Sequence, residues 1–598
     1  MDDTDKPLIR VATLDELKAK RTVVVQTRRC PLLVAWDGAK VVALDNRCPH
    51  LGFPLHRGTI ADGILTCHWH HARFDLASGG TFDLWADDIP TAEVQIKDGV
   101  VWVGGTTRYA DGAMHWRNRL RAGMEHNIRL VMAKAILGLL ADGVSPADII
   151  RDAALFGVRN RDGWGTGLTT LVALAALVPK LPPEETYLAL YQGISRVAAD
   201  CEGHTSHRER QPLAGAVRPL PILTRWLRHW TQGRQRDGAE RTLLTALAQG
   251  ASPAEVTAMM LMAASDRYFA DGGHALDFIN KAFESLESIG WSHASAVLPL
   301  VIEQMVEARG GEELISWRHP VDLVALCETA FSGLPDRLAQ QAAAREPWTG
   351  HASLAAEILH EDPQSIIASI ETAITAGAQA ADLARALAYA AALRVARFGT
   401  SNEFSDWVTA HHVFTYCNAL HQMLKRIGDS RPSNRDPLIL RGVFHGAMRL
   451  WMIRFLNVPA ARIPGGPGDT LEDLPADPVE LQSAFLAALD RRGEVQSGAR
   501  LAARYLTIGH PVQGLLATLA QAGLREDAEF HTYQMLEAAW RQAQEWGDTP
   551  EAHHILIAAA RYIAAHAPTA RAQLQTATVA RRLSHGLSVH EASPESDH

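Results

Sequence analysis

The segment Cys48–His70, CPHLGFPLHRGTIADGILTCHWH, decides the fold of the amino-terminal part of this chain. It contains two mixed pairs of metal-binding residues, Cys48-x-His50 and Cys67-x2-His70, with sixteen residues between the pairs. Such short spacings put a thiolate and an imidazole on one tight loop, so two loops can hold one metal centre from opposite sides. Zinc is one candidate, although zinc fingers usually pair Cys with Cys and His with His.

The residues around the two pairs favour an iron–sulfur centre over zinc. Cys-Pro-His-Leu-Gly in the first loop, and Cys-His-Trp-His followed by Phe-Asp in the second, resemble the Rieske family closely. The resemblance covers residues 1 to about 105 and implies a [2Fe–2S] cluster. It also implies Cys48 and Cys67 as thiolate ligands and His50 and His70 as imidazole ligands. Imidazole ligation raises the reduction potential above that of an all-cysteine cluster.

Within the family, the sequence resembles the low-potential ferredoxin and oxygenase type. High-potential members carry two further cysteines, and the corresponding residues here are Phe53 and Trp69. They also carry Ser and Tyr hydroxyls that donate to cluster sulfur, where this chain has Ala72 and Phe74. His71 stands where the family usually has Gly, so it is strained if that position needs a positive φ. It is otherwise a hydrogen-bond donor near the cluster or an exposed bystander.

The hydrophobic pattern changes once along the chain. Up to residue 108, six short runs rich in Val, Ile and Leu are separated by turn residues, which predicts a small antiparallel β domain. Beyond residue 116, apolar residues recur every three or four positions, which predicts successive helices. We therefore expect an α+β multidomain chain, with an all-β Rieske domain at 1–108, a linker or first helix at 109–130, an all-α region at 131–590 and a disordered tail at 591–598.

A helix–turn–helix junction recurs in the predicted helical region. LLADGVSPADI at 139–149 and TALAQGASPAEV at 245–256 each end one helix on glycine and start the next with Ser, Pro and an acidic residue. Looser copies occur twice more. The recurrence predicts four stacked helical modules, unless Gly-x-Ser-Pro is simply a common junction. The marker glycines are Gly143, Gly250, Gly377 and Gly509.

Histidines fall at related places in these modules. One place holds His274, His412 and His531, and a second, one helix later, holds His293, His445 and His554. Imidazoles on facing helices of a bundle can bind iron, although the Glu-x2-His signature of di-iron bundles is absent from the sequence. We expect His274, His412 and His445 to line a buried polar pocket and to hold a second iron. The alternative is that all are ordinary core or surface histidines.

The sequence favours an oxidoreductase over a binding protein. The mononuclear-iron motif of Rieske ring oxygenases was not found, and its nearest approximation, Asp200 with His204 and His207, has the wrong spacing. FHGAMRL at 444–450 faintly resembles questin-oxidase-like proteins. We expect an oxygenase or oxidase in which the cluster feeds electrons to a site in the helical region. The alternative is an electron carrier or redox sensor whose helical solenoid docks a partner.

Composition limits the remaining choices. A net charge of −9 argues against nucleic-acid binding as the main activity. The first residues carry no apolar signal segment, and no apolar run reaches the roughly 20 residues of a membrane span. Six cysteines in 598 residues do not make a disulfide framework. We expect a cytoplasmic protein that takes electrons from a reductase, acts on a small molecule of unknown identity and forms a homo-oligomer.

The residues beside the second loop predict a low potential for the cluster. With Ala72 and Phe74 in place of the hydroxyl donors, the midpoint potential should lie near roughly −150 mV. Ala72→Ser should raise it, because a hydroxyl donated to cluster sulfur stabilises the reduced state. Redox titration followed by electron paramagnetic resonance (EPR) measures both values. A wild-type potential above about +100 mV would contradict the argument.

Overall fold

The computed structural model describes residues 8–28, 30–109, 111–215, 217–341, 347–428, 436–466 and 468–587. The described residues form two compact units. The β-containing unit comprises those of Met1–Ile149 and Ala572–His598, and the helical unit comprises those of Ile150–Arg571. The tail predicted at 591–598 lies outside the described residues.

Two antiparallel sheets form the core of the β-containing unit. The larger has strand order β1-β9-β8-β4-β3-β2 and the smaller β5-β6-β7. The strands are β1 (Ile9–Thr13), β2 (Thr22–Gln26), β3 (Pro31–Trp36), β4 (Val41–Asp45), β5 (Thr59–Ala61), β6 (Ile64–Thr66), β7 (Arg73–Asp75), β8 (Thr91–Lys97) and β9 (Val100–Arg108). Alternate residues of β3 and β4 face two separate apolar clusters, one of which includes Cys48 and Cys67.

The β-rich fold predicted for the amino-terminal region is confirmed, with one addition. A short helix, α1 (Leu14–Lys20), follows the first strand. Thr13 caps it by accepting from the Glu16 N–H, and the Glu16 carboxylate accepts from the Thr13 N–H. This reciprocal arrangement is a capping box, and its Thr-x-x-Glu pattern is visible in the sequence.

The β-containing unit extends beyond the domain predicted at 1–108. It includes a helical hairpin, α2 (Gly112–Glu125) and α3 (Arg129–Ala141), and the helix α24 (Ala572–Ser584), which packs against α3. The segment 109–130 therefore contains a complete helix. Gly138 lets the two helices of the hairpin approach each other closely, because a Cβ there would lie 2.2 Å from Cε2 of Trp116.

All-α structure is confirmed for the rest of the chain. None of the described helices combines the length and apolarity needed to cross a membrane. The helices are α4 (Pro146–Asn160), α5 (Thr166–Leu177), α6 (Pro183–Cys201), α7 (Leu220–Gln232), α8 (Arg236–Ala248), α9 (Pro253–Ala264), α10 (His274–Ile289), α11 (Ala294–Val297), α12 (Ile302–Glu307), α13 (Leu323–Gln340), α14 (His351–Ile358), α15 (Pro363–Thr375), α16 (Ala380–Ala396), α17 (Phe404–Ile427), α18 (Pro437–Met452), α19 (Pro478–Ala488), α20 (Val495–Thr507), α21 (Val512–Leu524), α22 (Phe530–Trp546) and α23 (Pro550–Ala565).

The four marker glycines share one local geometry. Each follows the end of a helix with a positive φ, at 78°, 81°, 103° and 87° in chain order. At the first, the Gly143 N–H donates to the Leu140 carbonyl and the next N–H donates to the Leu139 carbonyl, which is a Schellman motif. The same pair of bonds recurs at the other three. The junction is therefore a real structural repeat, while the stacking of four modules stays a prediction.

A row of buried polar side chains runs through the helical unit along α10, α17 and α22. Lys281 is 1% exposed and pairs with the carboxylates of Glu284 at 2.8 Å and of Glu537. Arg541 pairs with the same two carboxylates. Burial raises the pKa of the neighbouring Asp277 to about 7. Facing helices are therefore matched by charge as well as by apolar contact.

Removing the central cation should destabilise the helical unit. In Lys281→Met, the buried carboxylates of Glu284 and Glu537 share one remaining cation. We therefore expect the unfolding free energy to fall by about 3–5 kcal/mol. Lys425→Met is the matched control, because its pair with Glu545 is exposed and worth about 0–1 kcal/mol. Urea denaturation followed by far-UV circular dichroism measures both. Equal losses in the two variants would contradict the prediction.

Candidate metal centres

Two loops at one end of the smaller sheet carry the predicted cluster ligands. The first joins β4 to β5 and the second joins β6 to β7. In the first loop, the Cys48 N–H donates to the Phe53 carbonyl at 2.8 Å, and the Gly52 N–H donates to the Cys48 carbonyl at 2.8 Å. In the second loop, the Cys67 N–H donates to the Ala72 carbonyl at 2.9 Å. Each loop is therefore closed by backbone bonds around its own ligand pair.

The four predicted ligands converge in two pairs of the same chemical type. The Cys48 and Cys67 thiols are buried and hydrogen-bonded to each other. The His50 and His70 rings lie 4.8 Å apart and nearly perpendicular. Nδ1 of His50 is buried and has no hydrogen-bond partner among the described residues. A thiolate pair beside an imidazole pair with a free nitrogen fits a [2Fe–2S] cluster with one iron held by each pair.

Backbone N–H groups point at the cysteine sulfurs. Those of His50 and Leu51 donate to the sulfur of Cys48, and those of Trp69 and His70 donate to the sulfur of Cys67. The hydrogen bond between the two thiols raises the pKa of Cys48 and lowers that of Cys67, whereas the backbone donors lower the pKa of both. Donors of this kind favour thiolate over thiol, and iron binds the thiolate.

The backbone of His71 has the positive φ that the sequence predicts if this position is one that normally needs glycine. Its φ is 62°, in the left-handed region where glycine is favoured. Its N–H donates to the Cys67 carbonyl at 3.0 Å, which holds the turn between His70 and Ala72. The side chain is exposed. The turn geometry, and not a side-chain contact with the cluster, accounts for the glycine that is usual at this position.

The helical unit contains a second convergence of histidines. His274, His412 and His531 each offer one ring nitrogen, and these three atoms lie within 4.8 Å of one another. The Nε2 atoms of His412 and His531 are 3.0 Å apart. Two nitrogens bound at right angles to one metal ion at about 2.1 Å are also about 3.0 Å apart. In the structure this pair is hydrogen-bonded, and all three nitrogens of the group, called the three-histidine site below, would have to close from within 4.8 Å to hold one ion.

Burial keeps the imidazoles of the three-histidine site neutral. It lowers the pKa of His412 to about 2 and that of His531 to about 3, and it also lowers the pKa of His274. Mutual repulsion between the rings acts in the same direction on His412 and His531. A neutral imidazole presents the lone pair that a metal ion needs. The three rings are therefore in the protonation state of metal ligands.

The loop directly before His274 has a strained backbone and places His274 in the site. Phe269, Asp271, Gly272 and Gly273 all have positive φ, and His274 opens α10 directly after them. A Cβ on Gly273 would lie 3.3 Å from the Cβ of Tyr416 and 3.4 Å from the His412 carbonyl. Only glycine lets this loop press so closely on α17. Clustered backbone strain of this kind is typical of functional sites.

Further polar groups surround the three-histidine site. The His411 ring lies 5.2 Å from that of His531, and neither of its nitrogens has a hydrogen-bond partner among the described residues. A carboxylate oxygen of Glu529 lies 3.5 Å from Nδ1 of His531. That nitrogen has no hydrogen-bond partner among the described residues, so Glu529 is a nearby charge and not a fixed partner of the ring. His411 is not among the residues predicted from the sequence, although two adjacent histidines at 411–412 indicated that both could lie near the site.

The structure does not bring His445 into this group. Its ring packs on Tyr268 at 4.3 Å and on Phe331 at 5.7 Å, and neither of its nitrogens has a hydrogen-bond partner among the described residues. The converging residues are instead the three that share the first modular place. The histidines of the second place lie apart, with His554 bonded to the Tyr389 hydroxyl at 2.8 Å and His293 lining a different cavity. The expected pocket of His274, His412 and His445 is therefore corrected to His274, His412 and His531.

The residues that approximate the ring-oxygenase motif make hydrogen bonds within the fold. The Asp200 carboxylate accepts from the Gly167 N–H at 2.6 Å at the start of α5. His207 bonds to the Asp162 carboxylate at 2.8 Å. Both residues are occupied by contacts within the fold, and they form no metal-ligand group in the part of the chain that the structure describes.

Comparison with known proteins identifies the cluster domain. Residues 8–91 match the sequence profile of the Rieske [2Fe–2S] domain. Apoptosis-inducing factor 3 of Homo sapiens is 33% identical over 73 residues, 12% of this chain and 12% of that protein. Aminopyrrolnitrin oxygenase PrnD of Pseudomonas fluorescens is 44% identical over 64 residues, 10% of this chain and 17% of that protein. The amino-terminal domain is therefore a Rieske [2Fe–2S] domain.

A solved structure shares the same region. The ferredoxin of carbazole 1,9a-dioxygenase from Nocardioides aromaticivorans IC177 is 26% identical, and the match covers 17% of this chain and 98% of that one at a TM-score of 0.16. The chain spans only 12% and 17% of the length of the two curated relatives above. The redox role of the cluster domain rests on the match of residues 8–91 to the Rieske [2Fe–2S] domain.

The left-handed residue beside the cluster yields a paired test. His71→Ile places a β-branched residue at a φ of 62° and should lower the unfolding free energy of the cluster domain by about 1–2 kcal/mol. His71→Gly accepts this φ without strain and should retain the cluster as wild type does. Loss of the visible circular dichroism of the cluster with increasing urea measures both. If glycine weakens the domain as much as isoleucine does, the backbone account is wrong.

Proposed function

We propose that this chain is a Rieske oxidoreductase that takes single electrons from a reductase at its cluster and uses them at an iron held by the three-histidine site. The observation that carries the proposal is the convergence of three neutral imidazoles within 4.8 Å in the helical unit. A Rieske cluster supplies or accepts one electron at a time. A fused metal site supplies an acceptor in the same chain.

The ligand set favours a catalytic iron over a structural metal. Neutral imidazole suits iron as well as zinc and copper. Three protein ligands leave coordination positions open for dioxygen or a substrate, as the facial triads of non-haem iron oxygenases do. Here a third histidine replaces the carboxylate of those triads, and Glu529 stands outside the ligand set. The site thus differs in detail from the Rieske ring oxygenases.

The amino ends of two helices shape the chemistry of the open positions. His274 and His531 lie in the first turns of α10 and α22, where unpaired N–H groups create a positive potential. That potential attracts anionic ligands. We infer that the iron binds an anionic or reducible small ligand there. The oxygenase name of the PrnD relative supports oxygen chemistry of this kind.

We also propose a reductase partner, a small-molecule substrate, a homo-oligomeric state and a cytoplasmic location, as the sequence predicts. The competing function is an electron carrier or redox sensor that uses its helices for docking. The two functions differ in one measurable property, the number of iron atoms in each chain.

Iron content decides between them. Anaerobically purified protein should contain about three iron atoms and two sulfides per chain, two of the irons belonging to the cluster. His412→Gln and His531→Gln should each lose the third iron and all turnover, while the Rieske EPR signal stays intact. His445→Gln is the matched control, because His445 is even more deeply buried but lies outside the three-histidine site, and it should keep about three irons.

Two outcomes would contradict the proposal. If wild-type protein contains about two irons after reconstitution with ferrous iron, the electron-carrier function is favoured over the enzyme function. Loss of the third iron in His445→Gln but not in His412→Gln would move the site to α18.

A further inference from the structure

A buried group of three charges joins the cluster loops to the helical hairpin. The Asp87 carboxylate is 2% exposed and pairs with Lys134 on α3 and with Nε of Arg119 on α2 at 2.9 Å. Arg119 also donates to the carbonyls of Leu84 at 2.7 Å and Ala86 at 2.9 Å. All three charges lie in the β-containing unit, and both cations lie outside the 8–91 match to the Rieske domain.

The group contacts the cluster loops directly. The Lys134 ammonium donates to the Pro49 carbonyl at 2.7 Å, and Pro49 separates the ligands Cys48 and His50. Trp85, two residues before Asp87, stacks edge-on against the His50 ring at 4.7 Å. The cation therefore lies one peptide away from a thiolate ligand and an imidazole ligand.

The charges are complementary to the reduced cluster. Two ferric ions, two sulfides, two thiolates and two neutral imidazoles sum to zero charge, so one added electron makes the cluster singly negative. The buried group contains two cations and one anion, a net charge of one positive. Burial opposes ionisation of Asp87, but Lys134 and Arg119 outweigh it and hold its pKa below the ordinary value. A fixed positive charge in a low-dielectric region stabilises a nearby negative one.

We propose that the Lys134–Asp87–Arg119 group raises the reduction potential of the cluster and that Lys134, as the nearest cation, is the residue that tunes it. The hairpin then gives the cluster a higher reduction potential than the two ligand loops would give it alone. It partly replaces the hydroxyl donors that are absent at Ala72 and Phe74. The inference rests on the Rieske domain and not on the three-histidine site.

A charge series separates tuning from mere support of the loops. Lys134→Met reduces the net charge of the group to zero, and its midpoint potential should fall below that of wild type. Asp87→Asn raises the net charge to two positive, and its potential should rise. The double variant restores a net charge of one positive and should return close to wild type. Arg121→Met, which removes an exposed cation from the same hairpin, should leave the potential unchanged.

Potentials are measured on the full chain by redox titration with EPR, alongside iron and sulfide content. A purely structural role predicts that both single variants lose cluster and that the double variant is the worst, which would overturn the proposal. So would an unchanged potential in Lys134→Met with a full cluster. If Lys134→Met cannot hold the cluster, Asp87→Asn and Lys134→Arg decide instead. The first must raise the potential and the second must preserve it.

Discussion

Desolvation of imidazole is the constraint on which both metal centres depend. A buried histidine cannot keep a proton without a nearby anion, so it stays neutral and exposes a lone pair. At the cluster, burial lowers the pKa of His50 to about 4. At the three-histidine site, burial and ring repulsion lower the pKa values of His412 and His531 further. The packing that buries these rings is therefore what leaves their lone pairs available to a metal ion.

The charges near the two centres differ. The cluster gains negative charge on reduction, and the buried Lys134 ammonium lies beside its first loop. The three-histidine site would bind a cation, and charged groups of both signs lie near it, with Glu529 beside His531 and Arg449 near His412. Deeper along the same helices, Lys281 and Arg541 are neutralised by Glu284 and Glu537. These two cations thus have partners of opposite sign, which a low-dielectric interior favours.

The hairpin changes the boundary of the cluster domain. The match to the Rieske domain ends at residue 91, whereas the contacts that hold the loop around Asp87 come from Arg119 and Lys134. A fragment ending at residue 108 would remove both cations that pair with the Asp87 carboxylate. The hairpin belongs to the cluster domain energetically as well as spatially.

The sequence by itself determined whatever depends on near neighbours. Cys48 with His50, and Cys67 with His70, are one and two residues apart, so one tight loop places each pair. The glycine junctions are equally local, and all four have the expected left-handed turn. The modular recurrence of His274, His412 and His531 was also visible, but it did not show that this set, and not one including His445, converges.

Only the tertiary structure decided that convergence. His412 and His531 are 119 residues apart, and their nitrogens meet because α17 packs against α22 with a particular rotation of each helix. Lys134 reaches the Pro49 carbonyl across 85 residues for the same kind of reason. Helical periodicity fixes which residues share a face. The partner that a face meets depends on side-chain packing summed over the whole interface, which no local pattern encodes.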